Sequence, residues 1–268
     1  MGVFSQDKLC ASEYMERRSW LMFDQAVILA GGRGTRLAPL TDTLPKVMAP
    51  VHGHPFLEYQ IMYLLRQGIT SILLLVGYRW KQIWDYFGDG SKWGVDIKYS
   101  QELTPYGTAG CLSHAYPQLR DSFVVIYGDS FLPCDYALMF KCATEHAPTA
   151  FMTVYPNRGE LPVPNNVQVD SEGYVQQYLK DKPELKFDYV DAGVLLLHRH
   201  HVAAFPQHLP SSLEEDIFPR LVASGMIRAF VSEQRFYDIG TPDRLDVFRQ
   251  DVTKFFDLSN FRVGSGLL

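Results

Sequence analysis

Three glycines and two cations stand close together near the start of this 268-residue chain. The stretch Leu29-Ala30-Gly31-Gly32-Arg33-Gly34-Thr35-Arg36-Leu37 follows an apolar run at 26–29 and precedes Pro45-Lys46. Glycine leaves backbone N–H groups uncovered, and Arg36 and Lys46 bring fixed positive charge from the flank, which together suit a polyphosphate. A tight turn after a first strand would account for glycine alone. The Walker A loop needs Lys and then Ser or Thr directly after its last glycine, whereas Gly34 is followed by Thr35-Arg36; the dinucleotide fingerprint needs a third glycine where Leu37 stands. The loop therefore points to nucleotide chemistry of a different kind.

Polyphosphates commonly carry a divalent cation, so carboxylates able to hold one are candidate partners for those basic residues. Asp129 closes the apolar run 123–127 in Tyr127-Gly128-Asp129, with a glycine that permits close approach. Asp238 lies in Phe236-Tyr237-Asp238-Ile239-Gly240-Thr241-Pro242. Thr241 is a good helix N-cap and Pro242 a good first helical residue, but helix initiation leaves Asp238 unaccounted for.

The signature loop, then Pro39-Leu40-Thr41 and Pro45-Lys46-x-x-x-Pro50-Val51, resembles that of the sugar-1-phosphate nucleotidylyltransferases, the nucleotide-sugar pyrophosphorylases. The resemblance runs from residue 25 to about 251 and looks closest to heptose-1-phosphate guanylyltransferases and muramate-1-phosphate uridylyltransferases. It implies an α/β, Rossmann-like fold with a mixed, mostly parallel sheet flanked by helices. It also implies that Ala30, Gly31, Gly32, Gly34 and Thr35 cradle the triphosphate, with Arg36 near the leaving pyrophosphate and Lys46 near the reacting phosphates. By the same resemblance Asp129 and Asp238 hold Mg²⁺, and the loop 100–110 binds the nucleoside through Glu102, Gly107 and Thr108, with Gly107 beneath the base. Lys182, in Asp181-Lys182-Pro183, stands where relatives carry Glu-Lys-Pro and reach the acceptor phosphate. Asp191 and Gly193, in Asp191-Ala192-Gly193, stand where an Asn-Ala-Gly-like segment lines the sugar pocket; both aspartates depart from the family pattern and leave the sugar open.

The implied reaction joins a nucleoside monophosphate from a triphosphate to a sugar 1-phosphate and releases pyrophosphate. A carboxylate such as Glu102 only accepts hydrogen bonds, and guanine offers two adjacent donors where uracil and thymine offer one, which favours GTP with a heptose or hexose phosphate. UTP- or CTP-dependent transfer remains an alternative, as does a non-catalytic relative that senses nucleotide sugars. Retention of Arg36, Lys46, Asp129 and Asp238 favours the enzyme.

Composition narrows the partners. A formal net charge of −5 with no basic stripe argues against nucleic acid, and apolar and charged contents of 47% and 21% are those of a globular domain. Apolar runs are strand-length, so no membrane segment is expected. Cys10, Cys111, Cys134 and Cys142 are widely spaced and form neither a zinc motif nor a disulfide framework, which points to reduced thiols in the cytoplasm. The tract His198-Arg199-His200-His201 lacks a partner motif for metal. Association into a homo-oligomer is left open.

These side chains must be positioned by alternating strands and helices. Residues 1–24 are read as a polar N-terminal extension and 25–268 as a single domain. Strands are expected at 26–29, 71–76, 95–99 and 123–127, alternating with helices over 55–68, 80–87 and 108–115. Trp80 and Trp84 are read as core. Runs at 150–155, 167–170, 174–179 and 190–197 suggest antiparallel additions; a helix over 213–223, strands at 227–231 and 235–237, and a last helix over 242–256 follow. No hexapeptide repeat follows Phe261, so a C-terminal left-handed β-helix is not expected.

Overall fold

The computed structural model describes residues 23–147, 149–179, 186–206 and 208–259. Its strands in chain order are β1 (Gln25–Ala30), β2 (Pro50–Val51), β3 (His54–Pro55), β4 (Ser71–Val76), β5 (Asp96–Gln101), β6 (Ser122–Tyr127) and β7 (Ser130–Phe131). They continue with β8 (Ala150–Tyr155), β9 (Val167–Val169), β10 (Val175–Tyr178), β11 (Val190–His198), β12 (Ile227–Val231) and β13 (Tyr237–Asp238). Seven of these form one sheet in the order β12-β8-β11-β6-β1-β4-β5. All neighbours in it run parallel except β11, which is antiparallel to both β6 and β8. The expected mixed, mostly parallel sheet is the one observed.

Apolar residues on both faces of the central strands follow from coverage by helices on both sides. Ala26, Ile28, Ile72, Leu74, Val124 and Ile126 pack into one layer, and their neighbours Val27, Leu73, Leu75 and Val125 into the other. The helix Phe56–Arg66 serves two cores. Leu57, Ile61 and Leu64 face the first layer, while Phe56 and Tyr59 join a third cluster with Phe131, Tyr237, Phe248 and Phe256. In that cluster the rings of Phe56 and Phe248 meet edge-on at 4.9 Å, and Tyr59 and Phe256 at 5.3 Å. Such aromatic packing holds the last helix, Pro242–Asp251, and with it the short ladder of β13 on β7.

Local details depart from expectation for identifiable reasons. Trp84 is 44% exposed and lies edge-on to Tyr99 at 5.0 Å, while Trp80 is only partly buried. Their helix, Trp80–Phe87, flanks the sheet's edge strand, so only Ile83 and Phe87 are fully covered. Phe23 is buried and stacks on Phe140 at 5.3 Å, so the packed domain begins before residue 25. The helix expected over 213–223 opens with a π-turn at Leu213–Ile217 before the α-helix Phe218–Ala223. The last helix ends at Asp251 and continues as a 3₁₀ turn, Val252–Lys254.

The histidine tract is structural. His198 Nδ1 meets Ser122 Oγ at 2.8 Å, and the His198 N–H donates to His201 Nδ1 at 3.0 Å, starting the short helix Arg199–Ala203. Among the described residues no group of three His, Cys, Asp or Glu is placed to hold a metal ion, and no helix is long and apolar enough to cross a membrane.

Candidate active site

Parallel strands deliver their C-terminal ends to one edge of a sheet, and ligands bind where successive connections leave in opposite directions. Here the chain runs from β1 to β4 and β5 on one side, and places β6 on the other side of β1. Directly after these strands come Gly31 (β1), Gly77 (β4), Glu102 (β5) and Gly128-Asp129 (β6). They line one cleft of about 1050 Å³, with Arg33, Gly34, Thr35, Arg36, Lys46, Gly107 and Thr108.

The signature loop is shaped by its own packing at some glycines and not at others. Gly34 has φ +67°, and a Cβ there would lie 2.7 Å from Lys46 Cβ, so this glycine lets the lysine stem pass. Its carbonyl accepts from Leu37 N–H at 2.9 Å and Thr41 Oγ1 at 2.9 Å, which fixes the 3₁₀ turn Thr35–Leu37 carrying Arg36. Gly32 differs. It has no positive φ, and a Cβ would meet nothing within 4 Å. Nothing inside the protein requires glycine at that point of the cleft wall, so its bare backbone suits a ligand. Gly32→Ala is expected to leave the melting temperature unchanged and to weaken triphosphate binding about ten- to hundredfold, read by calorimetry.

Lys46 Nζ forms an ion pair with Asp129 Oδ2 across 83 residues, both side chains being mostly shielded. Asp238 arrives beside Asp129 through the antiparallel pairing Asp238↔Ser130, and Ile239 N–H donates to the Asp129 carbonyl at 2.9 Å. The two backbones therefore meet. Each carboxylate is held by its own cation: Asp129 by Lys46, and Asp238 by Arg244, whose Nη1 lies 3.0 Å from Oδ1 and 3.3 Å from Oδ2. Asp238 and Arg244 line a separate small cavity of about 90 Å³. Arg36 reaches the same corner, since a Cβ on Gly240 would lie 3.5 Å from its guanidinium and 2.7 Å from Asp238 Oδ1. Among the described residues Arg36 pairs with no carboxylate.

The loop over 100–110 is held by hydrogen bonds within the protein. Glu102 Oε2 accepts the Tyr106 N–H at 2.9 Å, and Oε1 sits where a Cβ on Gly31 or Gly77 would be, at 2.6 and 2.5 Å. Those glycines thus make room for the carboxylate in the cleft wall. Gly107 has φ +79°, and a Cβ would fall 2.2 Å from the Ser211 carbonyl oxygen. The backbone at Ser211 by itself requires glycine at this point. Thr108 Oγ1 donates to Glu214 Oε2 at 2.9 Å and accepts the Leu213 N–H at 2.8 Å.

On the acceptor side, the Asp191 N–H donates to Asn166 Oδ1, and Asp191 Oδ1 accepts from the Gly193 N–H, both at 2.9 Å. Gly193 has φ +79°, and a Cβ there would crowd Ser130 Oγ at 2.5 Å, so β11 begins hard against the Asp129 corner. Lys182 lies outside the described residues.

Three residues escaped the sequence reading. Glu214 bridges the nucleoside loop to β6: besides Thr108, its oxygens accept from Ser212 Oγ at 2.7 Å and Tyr127 OH at 2.7 Å. Burial pushes its carboxyl up, but these hydrogen bonds outweigh burial and hold it below the ordinary glutamate range. Burial, then the Glu214 charge, drives the Tyr127 phenol well up. Arg33, between Gly32 and Gly34, lies over the Tyr78 ring at 5.2 Å on the cleft rim. Arg244 holds Asp238. None carries a local signal, because each partner is far away in sequence or set by a rotamer.

Comparison with known proteins agrees with this geometry. The nucleotidyl transferase family model matches residues 25–254. Mannose-1-phosphate guanylyltransferase of Mycobacterium tuberculosis is 33% identical over 222 residues, covering 81% of this chain and 61% of that protein. D-glycero-alpha-D-manno-heptose 1-phosphate guanylyltransferase of Campylobacter jejuni is 32% identical over 222 residues, 82% of this chain and 96% of that protein. This chain thus spans under two thirds of the first relative and nearly all of the second. The crystal structure of HddC from Yersinia pseudotuberculosis complexed with GMP-PN superposes with a TM-score of 0.72 at 26% identity, covering 85% of this chain and 99% of that one. With the signature loop, the two strand-end aspartates and the sheet order all in place, the chain belongs to the nucleotidyl transferase family.

Proposed function

We propose that this protein transfers GMP from GTP to a sugar 1-phosphate, a heptose or hexose phosphate, giving a GDP-sugar and pyrophosphate. The observation that carries the reading is Arg36, a guanidinium with no carboxylate partner among the described residues, which lines the same cleft as the uncovered backbone of Gly32. That pairing is complementary to a polyphosphate and to little else. The guanylyltransferase names of the relatives support the base.

In this reaction an acceptor phosphate oxygen attacks the α-phosphorus, and the bond from that phosphorus to the bridging oxygen of pyrophosphate breaks. Lys46 lowers repulsion between the reacting anions, and Arg36 stabilises charge building on the leaving pyrophosphate. Lys182 would carry the acceptor phosphate. Asp129 and Asp238, hard oxygen donors brought side by side by the pairing of β13 with β7, would hold Mg²⁺, leaving other positions to water and phosphate, as this ion ordinarily requires. When bound, Mg²⁺ would supply charge neutralisation at the phosphates. The free thiols Cys111, Cys134 and Cys142 accord with a cytoplasmic setting.

The test is pyrophosphate release across GTP, UTP, CTP, dTTP and ATP with mannose and heptose 1-phosphates. Turnover highest with GTP is expected. Preference for UTP, the substrate named for the Synechocystis relative that is 30% identical over 243 residues, would move the assignment to that branch. Turnover with no pair would favour a sensor of nucleotide sugars.

A further inference from the structure

Resting on the reading of Asp238 as a metal ligand, we infer that Arg244 is the positioning residue that sets this carboxylate for its cation. Asp238 Oδ1 accepts two hydrogen bonds, from the Gly240 N–H at 2.9 Å and from Arg244 Nη1 at 3.0 Å. Those fill both of its lone pairs. Oδ2 receives only the longer contact from Arg244 at 3.3 Å and keeps capacity for a further partner. The arrangement therefore leaves one oxygen to bind an ion and uses the other as an anchor.

The anchor is itself fixed at three points. Arg244 extends from the first turn of the helix Pro242–Asp251, where its N–H donates to the N-cap hydroxyl of Thr241 at 3.4 Å. Its second guanidinium nitrogen, Nη2, donates to the Pro162 carbonyl at 3.0 Å. The side chains of Arg244 and Asp238 are only 25% and 20% exposed, so neither swings freely in solvent. A planar fork with one prong on the carboxylate and one on a carbonyl of the loop before β9 defines a rotamer, which a lysine, with one nitrogen, cannot reproduce. Carboxylates that bind metals are commonly oriented by hydrogen bonds of this kind, and losing the partner weakens metal binding about 10–100-fold.

The experiment is Mn²⁺ titration followed by electron paramagnetic resonance, on the whole protein with a saturating non-hydrolysable GTP analogue. Arg244→Ala is expected to weaken Mn²⁺ binding about 10–100-fold, with Arg244→Lys falling between it and the unaltered protein. The metal-free melting temperature should change little in both. Asp238→Asn is the control. If it weakens Mn²⁺ binding while Arg244→Ala leaves it unchanged, this inference fails and the metal reading stands. If Arg244→Ala tightens binding, the guanidinium competes with the ion and the inference is wrong. If Asp238→Asn itself leaves Mn²⁺ binding untouched, the metal reading falls and takes the inference with it.

Discussion

Asp129→Asn should lower turnover about 10²–10³-fold while the protein still folds. A divalent cation contributes several kcal/mol to stabilising phosphoryl charge in the transition state, and each 1.36 kcal/mol is tenfold in rate. The same substitution takes the counter-charge from Lys46, which is paired with this carboxylate. Lys46 then remains free to meet phosphate, so GTP binding is expected to survive better than turnover. Steady-state pyrophosphate release together with calorimetric GTP binding separates the two effects. Turnover close to that of the unaltered protein would remove Asp129 from the reaction.

Gly107→Ala should be the most destabilising substitution in the nucleoside loop, by about 2–5 kcal/mol. A left-handed backbone adds about 1–2 kcal/mol for a residue with a Cβ, and forced overpacking adds about 1–3 kcal/mol. Both apply, because φ is +79° and the new carbon would sit 2.2 Å from the Ser211 carbonyl oxygen. That oxygen cannot retreat cheaply, since it accepts the N–H groups of Ala109 and Gly110 at 3.0 and 3.2 Å. The check is the urea midpoint at unchanged slope. An unchanged midpoint would show that the 107–211 contact contributes nothing to folding. The contrast with Gly32→Ala is informative: a Cβ at 107 collides with the protein, whereas one at 32 meets nothing within 4 Å.

The candidate site residues were legible because their signals are local. A glycine loop after a strand, a Gly-Asp at a strand end and Asp-Ile-Gly-Thr-Pro before a helix each need only a few consecutive residues to be read. The alternation of strands and helices was likewise visible, since burial on both faces writes continuous apolar runs such as 71–76. Edge effects were not. Trp84 has the spacing of a core residue, yet its helix lies over the outermost strand and no described residue covers its far side.

From the sequence alone came the groups that the fold brings to one end of the sheet: Gly31, Gly32, Gly34, Arg36, Lys46 and Asp129 in the cleft, with Asp238 beside Asp129. Only the tertiary structure decided who holds whom. Lys46 finds Asp129 across 83 residues, Thr108 finds Glu214 across 106, and Tyr127 finds Glu214 across 87. Arg244 meets Asp238 only because the aromatic cluster seats the last helix against β7 and β13. The physical reason is that local sequence sets backbone conformation and periodicity, whereas partner choice follows from strand register and helix docking, which depend on the whole core.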